Sequence, residues 1–116
     1  MATINYTLDT NNDDFRVVTW PAMAVGDIGQ PVTLVGYSDR SVQVAGTFGA
    51  AGSVTLQGSN DGVNYAPLSN PQGTVLTATA AKIQAVSELT RNFRPTVTAG
   101  DGTTSLTITA LFRRSV

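Results

Sequence analysis

The chain has 116 residues, a formal net charge of −1 and only 13% charged residues, with neither cysteine nor histidine. That length suits one domain with its own core, and the missing residues exclude disulfides, thiolate metal sites and the commonest general base and metal ligand. Seven basic residues scattered along the sequence argue against binding nucleic acid through phosphates, and no apolar run approaches the roughly 20 residues of a membrane helix, so neither nucleic acid nor membrane is an expected partner.

Residues 1–14 are polar, rich in Asn, Asp and Thr, and end in Asp13-Asp14. They are expected to form a flexible N-terminal arm that packs little against the body. They lack a basic segment followed by an apolar run, so synthesis and folding in a cytoplasm are expected. The body, residues 15–116, is read as a single β-sandwich domain.

Phe15–Trp20 and Val32–Tyr37 are strand candidates with weak patterns. Ser41–Phe48 alternates clearly, with Val42, Val44, Gly46 and Phe48 on one face and Gln43, Ala45 and Thr47 on the other. In Ser53–Ser59, Val54 and Leu56 oppose Thr55 and Gln57. Thr74–Thr79 is a further weak strand. Ala80–Leu89 fits a short helix, through Ala81, Ala85 and Leu89, or a strand through Ile83 and Val86. Arg91–Thr98 alternates but contains Pro95, which predicts an edge or bulged strand. Thr104–Phe112 places Leu106, Ile108, Ala110 and Phe112 on one face. Turn signals separate these runs, among them Gly49–Gly52, Asn60-Asp61-Gly62 and Gly100-Asp101-Gly102. The expected fold is therefore all-β, an antiparallel sandwich resembling a jelly roll, with about seven or eight strands and at most one short helix.

Catalytic and cofactor chemistry find little purchase. Gly46–Gly52 is glycine-rich but lacks the lysine of a phosphate-binding loop, so it reads as a hairpin connection. Asp61 and Asp101 each stand as the one acidic residue of a turn, whereas a calcium loop gathers several acidic oxygens. No metal, no cofactor and no catalytic residue is expected. Arg91-Asn92-Phe93-Arg94 and Arg113-Arg114 concentrate the basic residues, and Trp20, Tyr37 and Tyr65 could line a sugar site or pack within the protein. Phe15 and Trp20, where arm meets body, and Arg113 and Arg114 are the candidate partner contacts; core packing is the ordinary alternative for the two aromatics.

Gly46-Thr47-Phe48-Gly49, Gln57-Gly58-Ser59-Asn60-Asp61-Gly62, Arg94-Pro95 and Gly100-Asp101-Gly102-Thr103-Thr104 carry a resemblance. Val42–Arg113 resembles the small head decoration, or cement, proteins of tailed bacteriophages. The resemblance implies a non-enzymatic virion protein on the outer capsid surface, made in the host cytoplasm. It further implies the major capsid protein as partner and a homo-oligomer, a trimer first. The alternative is a binding module of a tail fibre or baseplate, directed at glycans.

Overall fold

The computed structural model describes residues 2–11, 14–33 and 36–114. Its strands are β1 (Thr3–Ile4), β2 (Thr7–Asn11), β3 (Phe15–Met23), β4 (Ile28–Gly29), β5 (Asp39–Thr47), β6 (Ser53–Ser59), β7 (Ala66–Pro67), β8 (Thr77–Ala78), β9 (Lys82–Val86), β10 (Asn92–Ala99) and β11 (Ser105–Arg113). Among the described residues there is no helix. Two sheets pack face to face. One is six-stranded, ordered β1-β4-β10-β6-β7 with β8 also on β6; the other is five-stranded, ordered β2-β3-β11-β5-β9. Pairing is antiparallel except between β1 and β4. An all-β sandwich is what the alternation predicted.

The long strands form where β-branched residues recur at every second position, which suits a pleated surface with one buried side. Val42 and Val44, Val54 and Leu56, Leu106 and Ile108 all enter the core. Three aromatic contacts run through it from sheet to sheet: Tyr6 to Trp20 at 6.0 Å, Trp20 to Phe93 at 6.1 Å, and Phe93 to Phe112 at 5.5 Å. Trp20 is fully buried and its indole Nε1–H donates to the Gln30 carbonyl at 2.9 Å.

Several local expectations are corrected. The described part of the arm is not detached: β1 pairs with β4 and β2 with β3, so the N-terminal segment joins both sheets. Backbone pairing needs few apolar side chains, and Tyr6 supplies the packing by lying on Trp20. Residues 1, 12 and 13 of that arm, and 34 and 35 of the Val32–Tyr37 candidate, lie outside the described residues; Val32 itself bridges Phe93. Ala80–Leu89 resolves as strand β9.

Pro95 sits inside a sheet, not at its edge. Phe93 and Val97 exchange backbone hydrogen bonds with the 26–32 segment, and Pro95 shares their alternation parity. Its missing N–H is therefore withheld from that side and not from β6, and its ring lies against Gly29, where a Cβ would collide. The expected bulge falls further along, between Val97 and Ala99.

Two glycine turns expected to close hairpins instead cross between the sheets. Gly49–Gly52 links β5 to β6, and Gly100–Gly102 links β10 to β11. They are tied together: the Ala50 amide donates to Asp101 at 2.8 Å, and the Thr104 hydroxyl donates to the Phe48 carbonyl at 2.8 Å. Asn60-Asp61-Gly62 does begin a hairpin loop, between β6 and β7, with Gly62 at φ +79°.

The outer side of the five-stranded sheet follows from its register. One row crosses Val17, Leu111, Ser41 and Ala85; the next crosses Thr7, Thr19, Thr109, Gln43 and Ile83. On its four strands β3, β11, β5 and β9, Asp39 and Arg113 are the charged residues of this face, and they neutralise each other through hydrogen bonds of 3.0 and 2.5 Å.

Candidate functional site

The site is built where β3 and β5 begin and β11 ends. Arg113 stands opposite Phe15 on one side and Asp39 on the other. The Arg114 amide donates to the Asp14 carbonyl at 2.7 Å, which continues the contact beyond the strand. One row inward, Phe112 lies between Arg16 and Arg40. The Arg40 guanidinium is 5.4 Å from the Phe112 ring centre, and that of Arg16 is 5.3 Å from the Tyr37 ring centre.

Arg40 fastens this corner to the opposite sheet. Its Nη2 donates to the Thr90 carbonyl at 2.9 Å and its Nε to the Tyr37 carbonyl at 3.1 Å. Burial lowers its pKa from the ordinary value, though a guanidinium stays charged in proteins. The neighbouring Arg91 amide donates to the Asn60 side chain at 3.0 Å, which brings in the β6–β7 loop. Through these bonds Phe15, Arg113, Thr90, Arg91 and the 60–65 loop share one end of the sandwich.

Side chains at this end are unusual for a solvated surface. Phe15, Val63 and Leu89 are exposed, Val63 at 79%, with Arg91, Arg113 and Arg114 exposed among them. The loop carrying Val63 is held rigidly. Asp61 accepts from the Val63 and Asn64 amides, both at 2.8 Å, from Asn64 Nδ2 at 2.8 Å and from the Ser59 hydroxyl at 2.9 Å. These bonds, that from the Asn64 amide foremost, hold its carboxyl well below the ordinary carboxylate range. Its oxygens are thus committed to the loop. Asp101 is occupied in the same way, by the Thr103 hydroxyl and the Thr103 and Ala50 amides, and its pKa is lowered to about 2. Among the described residues no three acidic side chains gather as a metal site would require.

A depression of about 160 Å³ opens between Asp39, Arg40, Ser41, Leu111 and Arg113, well short of the roughly 300–1,000 Å³ of small-molecule pockets.

No protein-family model matches the sequence, and no curated protein matches it. Among solved structures, the SPBc2 prophage-derived protein YomS superposes with a TM-score of 0.65 at 8% sequence identity, over 90% of this chain and 98% of that one. The chain shares its fold with a prophage-derived protein. A carbohydrate-binding module from the Cellvibrio mixtus lichenase 5A, solved in complex with cellotriose, aligns over 96% of this chain and 86% of that one at 16% identity. Its TM-score of 0.35 is too low to assign a shared fold.

Of the four residues expected to meet a partner, three stand at this end: Phe15, Arg113 and Arg114. Trp20 does not, because it lies at the centre of the core. Sequence reasoning missed Val63 and Leu89. An isolated apolar residue inside a polar turn was the available signal, and nothing in the pattern says that two such turns meet. The other aromatics offer few open ring faces: Tyr37 is half-buried under Arg16, and Tyr65 carries the Arg94 guanidinium 3.6 Å above its ring.

Proposed function

We propose that this chain is a non-enzymatic structural protein of a tailed-phage virion, a head decoration protein that binds the outer capsid surface through its arginine-lined loop end. The observation that carries the reading is the loop end itself. Exposed Phe15, Val63 and Leu89 share this end with Arg91, Arg113 and Arg114, on strand ends and loops cross-linked by hydrogen bonds. Aromatic and arginine side chains supply much of the binding energy at protein interfaces, and rigid loops lose little entropy on docking. The fold shared with a prophage-derived protein supports the phage setting. By binding only the assembled lattice, such a protein stabilises that lattice by mass action. The major capsid protein is the partner in this reading. The tail-fibre or baseplate alternative needs exposed aromatic faces for sugar stacking, and Trp20 and Tyr65 offer little of that.

The test is binding of the purified chain to heads stripped of it. The parent should bind, and Val63→Asp or Phe15→Ser should weaken binding by about tenfold or more, roughly 1.4 kcal/mol, while melting like the parent. Failure of the parent to bind, or unchanged binding by both variants, defeats the proposal.

A further inference from the structure

We infer that two copies of this chain pair face to face through the outer side of the five-stranded sheet. The motive is the chemistry of that face. Charged residues ordinarily make up about a quarter of a soluble domain, yet across β3, β11, β5 and β9 the outward positions carry charge at one corner, where Asp39 and Arg113 cancel each other. The remainder is threonine, serine, glutamine and aliphatic side chains, including exposed Leu111 and Ile83. A surface meant for nucleic acid or an anionic partner would carry basic residues. A surface meant for its own copy must avoid a dominant sign, because an isologous contact sets each charge near its own duplicate.

The edges of the same sheet point to the face and away from lateral growth. At one edge, β9 begins with exposed Lys82, in register with Val44. At the other, β2 has a bulge between Leu8 and Thr10. An edge lysine and a bulged edge both discourage a further strand from pairing. What remains available is the flat side.

The area is adequate. Strands about 4.8 Å apart, rising about 3.3 Å per residue, give this sheet a face of roughly 600 Å². Two copies would cover about 1,200 Å², at the lower limit of specific interfaces. Packed as an aligned sandwich about 10 Å apart, the four layers would place a two-fold axis near Thr109, the middle residue of the central strand β11. Thr109 lies on the solvent side of its sheet, its hydroxyl 3.5 Å from that of Thr19. This arrangement differs from the trimer implied by resemblance, which has no two-fold axis.

Sedimentation of the full chain at micromolar concentrations should give twice the monomer mass. Thr109→Lys should weaken pairing at least about tenfold through like-charge opposition and leave the circular dichroism spectrum unchanged. Thr98→Lys, on the outer side of the opposite sheet, should pair like the parent. In the cysteine-free background, a short bis-maleimide should link Thr109→Cys chains into dimers far faster than Thr98→Cys chains. A monomeric or trimeric parent overturns the inference, as does a Thr109→Lys chain that stays paired, or Thr98→Cys cross-linking as fast as Thr109→Cys.

Discussion

At Gly46 the backbone of β5 runs at φ +119°, and a Cβ there would be driven into the Ser105 carbonyl of the neighbouring strand. Gly46→Ala therefore meets both strain and a backbone collision, and should cost more than about 1 kcal/mol in urea denaturation. Gly62 also has a positive φ, but a Cβ there would meet only the Asn92 side-chain nitrogen at 3.4 Å, so Gly62→Ala should cost less. Asp101 makes a different kind of prediction. Its folded pKa of about 2 lies below the ordinary 3.8, because the Thr103 hydroxyl and the Ala50 and Thr103 amides all donate to the ionised form. A carboxyl depressed on folding adds stability that is fully present above the unfolded pKa and disappears as pH falls through the folded one. The acid loss due to Asp101 should thus fall between about pH 4 and pH 2. Asp101→Asn should melt lower than the parent at neutral pH and show a flatter pH dependence in that window. A parent and variant with parallel acid melting curves would refute this.

Among the elements, strand β2 covers the edge of β3, the short β1 covers that of β4, and Tyr6 between them meets Trp20 edge-on. Deleting residues 1–11 should lower the melting temperature by about 5 °C or more, since β3 becomes an unprotected edge. A truncated chain that melts with the parent would show the segment to be dispensable. This segment was the least legible part of the sequence, because two to five polar residues pair through backbone groups that leave no hydrophobic period. The strands β5, β6 and β11 were legible for the opposite reason: each buries one face, so Val42, Val54 and Leu106 announce themselves with their neighbours two residues on. Glycine turns were read as reversals, correctly, but a reversal does not say whether the next strand joins the same sheet. Hence Gly49–Gly52 and Gly100–Gly102 look like hairpin turns in the sequence and cross between sheets in the fold. The loop end was half legible. Phe15 and Arg113 could be singled out from the sequence, whereas their registry, and the Arg40 bridge that brings Thr90 and Arg91 alongside, depends on pairing between distant strands.

At the scale of the molecule, arginines collect at one end while the broad face of the five-stranded sheet stays almost uncharged. The two proposed contacts should therefore respond differently to salt. Attachment to heads through Arg91 and Arg114, which lie off the sheet face, should weaken as ionic strength rises and the Debye length falls from about 10 Å at 0.1 M to about 3 Å at 1 M. Pairing through Thr109 and Leu111 should hold or strengthen over the same range. Head binding and sedimentation measured in parallel would check this, and an equal response of both would contradict the assignment of separate surfaces.

The last strand of the chain is the middle strand of its sheet: β11 lies between β3 and β5, and every strand of that sheet is made before it. A ribosome delivers residues in order, so β3 and β5 emerge with a vacant place between them. The aromatic column stays incomplete until Phe112 arrives to meet Phe93. Pairings of such long sequence separation form slowly and late. A chain lacking β11 would lose the central pairing of the sheet and the Phe112 contact of the core together, and would be open to proteolysis. The topology thereby makes the fold of this sheet conditional on its last strand.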